Sequence, residues 1–178
     1  MKNKKIAQLV CTFPPYKGGI GNIALQFSSL LQARGEKIST YTPNYKQRRG
    51  VTKTLNSNNE TVEVHYLPPL LQYGNAALLP QIFSLAREHD ILYLHYPFFG
   101  SDIAVWMTKL IWNRKVKLAL HYHMDVGGLS LPAKILQLPS KLILSSIVKR
   151  SDIITCASLD YIRNSDIKKI HSRYPDKI

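Results

Sequence analysis

Short apolar runs of strand length alternate along the chain with longer stretches whose apolar positions recur at helical spacing. In Thr61–Leu67 the residues Val62, Val64 and Tyr66 share one face, which is typical of a half-buried strand. In Ile20–Ala33 apolar residues recur every three or four positions, which predicts an amphipathic helix that ends before Gly35. Further strands are predicted over Ile6–Cys11, Lys37–Thr42, Ile91–His95, Lys117–His121 and Ile153–Cys156. Further helices are predicted over Ala76–Arg87, from Ser101 to about Asn113, over Pro132–Arg150 with a break near Pro139, and from a Ser158 cap to about Lys168.

This alternation of strands and helices predicts the fold class. It indicates an α/β protein with a Rossmann-like parallel sheet and helices on both faces, because parallel neighbours need right-handed crossovers. No internal repeat and no linker interrupts the pattern, so residues 1–178 are interpreted as one domain. Ligands of such sheets bind beyond the carboxyl ends of the strands, which directs attention to the loops after Cys11, Leu94, His121 and Cys156.

Basic residues are in excess, and they are unevenly distributed along the chain. The chain of 178 residues carries a formal net charge of +13. Residues 1–60 hold 10 basic and 2 acidic residues and residues 130–178 hold 9 and 4, whereas residues 61–129 are balanced with 5 of each. Such an excess favours an anionic partner, which is phosphate, nucleic acid or a membrane surface. Residues 43–60, with Lys46, Arg48, Arg49 and Lys53, are predicted to form a mobile loop that binds phosphate or lipid headgroups, or is merely solvated.

Several protein classes are excluded or made less favourable by the remaining composition. Two cysteines, Cys11 and Cys156, make no disulfide framework, so a reducing cytoplasmic compartment is the simpler expectation. No stretch has the roughly 20 uncharged apolar residues of a membrane-spanning helix. Leu129–Arg150 mixes aliphatic residues with lysines, as helices at a membrane surface do, although a helix that covers a sheet has a similar pattern. No nucleic-acid-binding module is present, so nucleic acid is not expected as a partner.

Paired glycines follow the first strand. Gly18 and Gly19 precede the first helix, whose N-terminus offers free N–H groups and a positive dipole end to a phosphate. The segment matches neither the P-loop nor the dinucleotide-binding fingerprint. From the residues alone, a phosphate site and a simple tight turn are equally good interpretations.

A second cluster lies at the end of the fifth predicted strand. His121 and His123 point to the same face of a strand, and Asp125 follows two residues later, where it can orient an imidazole. A metal site formed by these three lacks a further ligand nearby, and a hydrolase lacks a Gly-x-Ser-x-Gly nucleophile elbow. Hydrogen bonding to a polar substrate remains, beside the alternative of a histidine satisfied in the core. His95 and Tyr96 form a similar arrangement after the preceding strand, suited to a sugar, a lipid or ordinary packing.

Six segments in this order resemble a known family. They are similar to the amino-terminal half of family 4 glycosyltransferases, and together they extend over essentially the whole chain. The segments are Phe13–Gly21, Gly35–Ile38, Asp90–Pro97, His121–Val126, Arg150–Ser158 and Tyr174–Ile178.

The resemblance implies one half of a GT-B fold, in which two Rossmann-like domains transfer a sugar from a nucleotide donor with retention and without a required cofactor or metal. It implies that Gly18 and Gly19 approach the donor diphosphate and that His123 contacts the transferred sugar, with Asp125 as a second catalytic candidate. Tyr16, Lys17, His95 and Tyr96 are then candidates for an acceptor groove. Met124 departs from the small polar residue common at that place in the family.

The expected partners are a nucleotide-sugar, a glycolipid or polysaccharide-precursor acceptor, an anionic membrane at the cytoplasmic face, and a C-terminal nucleotide-sugar-binding domain that is absent from this chain. The chain alone is therefore expected to have little or no transferase activity. The competing hypothesis is a non-catalytic domain that binds an anionic glycolipid or membrane. A hydrolase that uses His123 and Asp125 is a third option.

Overall fold

The backbone forms one large sheet with helices on both of its faces. The structure, a computed structural model, describes residues 4–16, 18–44, 50–55, 61–112, 115–128 and 131–178, with the backbone alone for 50–55, Pro132, Leu136 and Ile170. The strands are β1 (Lys5–Leu9), β2 (Lys37–Pro43), β3 (Gly50–Leu55), β4 (Thr61–Leu67), β5 (Leu71–Tyr73), β6 (Ala76–Leu78), β7 (Ile91–Tyr96), β8 (Lys117–Tyr122) and β9 (Ile153–Cys156). The helices are α1 (Gly19–Ala33), α2 (Ile82–Glu88), α3 (Ser101–Trp112), α4 (Leu131–Arg150), α5 (Leu159–Arg163) and α6 (Lys168–Arg173), followed by a 3₁₀ turn (Pro175–Lys177).

The strand order in the large sheet is β3-β4-β2-β1-β7-β8-β9. Every neighbouring pair is parallel except β3 with β4, so six parallel strands carry one antiparallel edge strand. The order reverses at β1, which has β2 on one side and β7 on the other. The predicted Rossmann-like parallel sheet with helices on both faces is confirmed.

Strand periodicity divides the side chains of the central strands between two layers. Leu92, Leu94, Leu118 and Leu120 are fully buried in one cluster with Ile147 and other residues of the helices α2 to α4. The alternate positions face α1, where Tyr93 packs with Phe27 and Leu31. The same alternation brings His95 and His121 beneath Phe27, so the fold itself places histidines on the α1 side of the sheet.

Two predicted segments are wrong in part. The structure forms β3 within the segment predicted as a mobile loop, because its Val and Thr residues suit an edge strand beside β4; Lys46, Arg48 and Arg49 lie outside the described residues. The helix predicted from Ala76 begins only at Ile82, since Pro80 disfavours helical backbone in the residue before it, and Ala76–Leu78 pairs with β5 instead.

Two predicted helices differ in detail. The predicted break at Pro139 does not occur, since α4 continues through this exposed proline, where solvent can replace the missing hydrogen bond. The predicted last helix is two helices, α5 and α6. Ser158 caps α5 as predicted, because its hydroxyl accepts a hydrogen bond from the N–H of Tyr161 at 3.1 Å.

Candidate functional site

The sequence-predicted residues converge on the carboxyl edge of the sheet. The loop after β1 leads into α1, the loop after β7 begins with Pro97, and His123 follows β8 directly. β1 and β7 are the strands at which the sheet order reverses, the usual place for a ligand in an open α/β sheet. Larger concavities of about 870 and 620 Å³ lie at the opposite, amino edge and have charged residues such as Lys5 and Lys37 in their walls.

The start of α1 is built from glycines, only one of which the packing requires. A Cβ on Gly21 would lie 2.8 Å from the carbonyl oxygen of Thr12, so this position needs glycine. A Cβ on Gly19 would meet nothing within 4 Å, and one on Gly18 would make only ordinary contacts. Gly18 is the N-cap, no side chain of the described residues caps the helix, and no acidic residue lies in its first turn. The geometry therefore leaves the first-turn amides of a 15-residue helix open to an anion.

Three histidines form one cluster on the α1 side of the sheet: His95 of β7, His121 of β8, and His123 directly after β8. The Nδ1 atom of His95 lies 2.8 Å from the Nε2 atom of His123, so the two rings share a hydrogen bond. His121 instead pairs through Nδ1 with the hydroxyl of Thr155 at 2.8 Å. The ring centroids of His121 and His123 are 4.3 Å apart. His95 and His121 are buried, and His123 is the partly exposed member at the edge.

These imidazoles are uncharged at neutral pH. Burial lowers the pKa of His121 to about 4. Burial, together with the neighbouring His121, lowers the pKa of His123 to about 3. The pKa of His95 falls well below its ordinary value, first because of burial and then because of His123 and His121. The cluster thus acts through hydrogen bonds of neutral rings, since a proton bound to one ring would repel a charge on the next.

Asp125 shapes the loop after β8 and, in the described residues, makes no hydrogen bond to His123. Its carboxylate accepts one hydrogen bond from the hydroxyl of Tyr122 and one from the N–H of Asp166 at 3.1 Å. Its own N–H donates to the hydroxyl of Tyr161 at 2.7 Å. Asp125 therefore ties this loop to the segment of α5 and α6, and the predicted contact with the imidazole is not what the structure shows.

The acceptor assignment of His95 and Tyr96 does not fit their burial. His95 is 0 % and Tyr96 2 % exposed, so neither side chain reaches a ligand from solvent. Tyr96 stacks on Tyr122 with ring centroids 5.3 Å apart. Both residues are buried and contact residues of the neighbouring segment, His95 contacting His123 and Tyr96 contacting Tyr122. The apolar and polar pattern of the sequence could not reveal this, because β7 is covered on both faces.

Another predicted acceptor residue, Tyr16, lies in the loop after β1. Tyr16 is exposed and, with Phe13, Tyr66 and Gln72, lines a cleft of about 400 Å³. The hydroxyl of Tyr66 donates to the carbonyl of Pro14 at 3.3 Å, which fixes this loop on β4. Lys17 lies outside the described residues.

A second cleft, which the sequence did not predict, lies between the start of α1 and the segment after His123. It has a volume of about 290 Å³ and an apolar lining. Ile20 from the start of α1, Pro97 from the end of β7, and Met124 and Val126 from the segment after His123 all contribute to its wall. The cleft therefore borders the first turn of α1, the residue after β7 and the segment after His123, although neither the paired glycines nor His123 line it.

The described residues offer neither a metal site nor a membrane-spanning helix. Within the described residues, no group of three or more His, Cys, Asp or Glu side chains is arranged to hold a metal ion. None of the described helices is long and apolar enough to span a bilayer. Cys11 and Cys156 are free thiols, and burial raises the pKa of Cys11 to about 11.

The chain is similar to solved structures in its fold but matches no family or curated protein in its sequence. No family model matches the chain, and no curated protein matches it. Among solved structures, the chain is similar to an alpha-glucosyltransferase in complex with UDP and a 13-mer DNA containing a HMU base, with a TM-score of 0.57 and 16% identity over 98% of this chain and 40% of the other. It is also similar to an alpha-glucosyltransferase in complex with UDP-glucose and DNA containing an abasic site, with a TM-score of 0.56 and 16% identity over 99% of this chain and 41% of the other.

A third similar structure, alpha-glucosyltransferase (AGT) in complex with UDP, has a TM-score of 0.55 and 14% identity over 99% of this chain and 40% of the other. At such low identity the likeness establishes the fold, which is a Rossmann-like half of the GT-B type. The chain spans about two fifths of the length of these structures. Two of the three contain DNA, so the expectation that nucleic acid is not a partner has no support from the comparisons.

Proposed function

We propose that this chain is the acceptor-side half of a retaining glycosyltransferase that transfers a sugar from a nucleotide donor to a glycolipid or polysaccharide precursor. One observation carries the proposal. In a fold shared with UDP-binding glucosyltransferases, a single cleft at the carboxyl edge joins the start of α1, at Ile20, to the segment that follows His123. The cleft therefore lies next to the start of α1, whose first-turn amides can bind an anion, and next to the segment that His123 precedes.

The glycine turn binds the donor diphosphate in this proposal. Transfer breaks the bond between the anomeric carbon and a diphosphate oxygen and forms a bond to an acceptor hydroxyl oxygen, whose proton passes to the leaving diphosphate. Negative charge therefore develops on the diphosphate as the bond breaks. The first-turn amides after Gly18 and the positive end of the α1 dipole stabilise that charge. The open space at Gly19 lets a phosphate approach the backbone, since no side chain intervenes. The proposed transfer includes no metal ion, as the resemblance to family 4 glycosyltransferases implies.

His123 contacts the transferred sugar in this proposal. Its ring is partly exposed, and because its pKa is lowered to about 3 it remains a neutral hydrogen-bonding group at physiological pH. A neutral imidazole bonds a sugar hydroxyl without repelling the positive charge that develops at the anomeric carbon. Asp125 has no catalytic part here, since its carboxylate is bound by Tyr122 and Asp166.

The apolar lining of the cleft favours an acceptor with a lipid part. Met124 is exposed beside His123, and Ala133 and Gln137 of α4 contribute to the same wall. On its outer side α4 exposes Leu131, Ile135, Leu138 and Leu142, each between 54% and 74% exposed. These four residues, here called the α4 stripe, are spaced three or four apart and so lie on one face of the helix.

The surface around the α4 stripe is positively charged, so an anionic membrane fits it better than a second copy of this chain does. Lys134 and Lys141 are exposed beside it, and α4 contains no acidic residue. A second copy of the chain would bring these lysines together, whereas anionic lipid headgroups would neutralise them. The helix that borders the cleft would thus lie at the surface from which a lipid-linked acceptor is taken, at the cytoplasmic face of the membrane.

Nucleic acid is the second candidate acceptor, favoured by the DNA in the similar glucosyltransferase structures and by the net charge of +13. The two acceptors are separated by one assay. The protein translated from the complete gene is incubated with radiolabelled nucleotide sugars and either a membrane lipid extract or duplex DNA. Label in the lipid fraction supports the proposal. Label in DNA would show that the acceptor is nucleic acid and not a glycolipid. No transfer with any donor supports a non-catalytic glycolipid- or membrane-binding domain instead.

A further inference from the structure

His95 is fully buried, and among the described residues its side chain makes one hydrogen bond, which is to His123. Its ring packs against Phe27 of α1 and against Tyr93, with centroid distances of 6.0 and 4.9 Å. Nδ1 lies 2.8 Å from Nε2 of His123, and Nε2 is buried without a hydrogen-bond partner in the described part of the chain. Because the second nitrogen of His95 is buried without a partner, it costs free energy whether it carries a hydrogen or a lone pair. The direction of the one hydrogen bond to His123 determines which nitrogen of each ring carries the hydrogen.

Two neutral imidazoles share only one hydrogen between Nδ1 of His95 and Nε2 of His123. In the first arrangement His95 donates, its own buried Nε2 is a bare lone pair, and His123 carries its hydrogen on Nδ1. In the second arrangement His123 donates, and the buried Nε2 of His95 is an N–H without an acceptor. Orphaned buried N–H donors are rarer than under-satisfied acceptors, so burial favours the first arrangement.

We propose that His95 is a positioning residue that holds the ring of His123 and fixes its tautomer, so that Nδ1 of His123 is the hydrogen-bond donor offered to a ligand. Nδ1 of His123 has no partner among the described residues, and the ring is partly exposed at the edge of the sheet. A donor at this place suits a hydroxyl or ether oxygen of a sugar. The ligand half of the inference rests on the proposed function, whereas the tautomer does not.

His121 provides a matched comparison within the same cluster. It is as closely packed on His123 as His95 is, with ring centroids 4.3 Å apart against 5.1 Å. Its Nδ1, however, is bonded to Thr155 and not to His123. Substitution of His121 should therefore leave the tautomer of His123 unchanged, although it removes a ring of the same size from the same environment.

The test is long-range ¹H–¹⁵N NMR of the 178-residue chain labelled with ¹⁵N at histidine, at pH 7. We expect His123 to show a protonated Nδ1 and a bare Nε2. His95→Asn places an amide N–H where Nδ1 was and should keep that tautomer. His95→Leu should lower the tautomer ratio about tenfold, the effect of one hydrogen bond worth about 1.4 kcal/mol. His121→Asn is the control and should leave the tautomer of His123 unchanged at pH 7.

A bare Nδ1 on His123 in the wild-type chain would overturn the inference without any variant having to fold. An unchanged ratio in His95→Leu, or a shift in His121→Asn as large as in His95→Leu, would overturn it as well. None of these outcomes depends on sugar transfer, so failure of the proposed function is recognised separately.

Discussion

Gly21 and Gly19 provide the sharpest test of how the start of α1 is built. In Gly21→Ala the new Cβ would lie 2.8 Å from the carbonyl oxygen of Thr12 and 3.1 Å from the Cα of Phe13. Both contacts are with backbone atoms, which cannot rotate away as the end of a side chain can. Overpacking of this kind costs about 1–3 kcal/mol, and the tight contacts place Gly21→Ala near the upper end. The better helix propensity of alanine returns about 1 kcal/mol.

The net expectation for Gly21→Ala is a loss of about 2 kcal/mol in the free energy of unfolding. For a domain of this size, that loss lowers Tm by about 4–8 °C. Gly19→Ala is the control, because its Cβ meets nothing within 4 Å. Urea titrations of the two variants and the wild type measure the difference. Equal stability of Gly21→Ala and the wild type, or an equal loss in both variants, would refute the steric explanation.

Three further predictions concern titration, membrane binding and turnover. The histidines of the cluster have pKa values lowered on folding, to about 4 for His121 and about 3 for His123, so their contribution is complete above the unfolded pKa near 6.5 and is lost as pH falls below it. The free energy of unfolding, measured by urea titration, should therefore fall by about 2–4 kcal/mol between pH 7 and pH 5.5. A free energy of unfolding that does not change with pH would contradict the buried, neutral cluster. The double variant Ile135→Ser, Leu138→Ser should bind vesicles rich in phosphatidylglycerol at least tenfold more weakly than wild type in sedimentation assays, whereas Leu110→Ser, Ile111→Ser on α3, also exposed, should not; equal effects would remove the α4 stripe from the account. The 178-residue chain by itself should release no measurable nucleoside diphosphate from a panel of nucleotide sugars, and clear turnover would contradict its proposed role as one half of the site.

Periodicity along the sequence was sufficient for much of the sheet. β4 and β9 begin and end as predicted, because alternation and flanking turns are local signals. β3 was missed because an edge strand with a polar composition lacks a clear apolar period. The predicted helix before β7 begins too early, because the apolar residues Ala76–Leu79 continue the helical spacing whereas Pro80 disfavours helical backbone in the residue before it.

The site was predictable in place but not in the roles of its residues. His121 and His123 were expected on one face, and the structure places them there with His95. The burial of His95 depends on Phe27, which lies 68 residues earlier in the sequence, and the ties of Asp125 depend on Tyr161 and Asp166. Such long-range partners leave no local pattern, so a strand-end histidine or aspartate is easily assigned to a ligand that it does not touch.

The most direct test of the central claim is the rate of sugar transfer by His123→Ala in the protein translated from the complete gene, compared with Leu30→Ala at an exposed position of α1. A hydrogen bond made to the sugar in the transition state is worth about 2–3 kcal/mol, so kcat/KM should fall roughly 30- to 150-fold in His123→Ala. Leu30→Ala should retain the wild-type rate. Near-normal transfer by a folded His123→Ala protein would contradict the account.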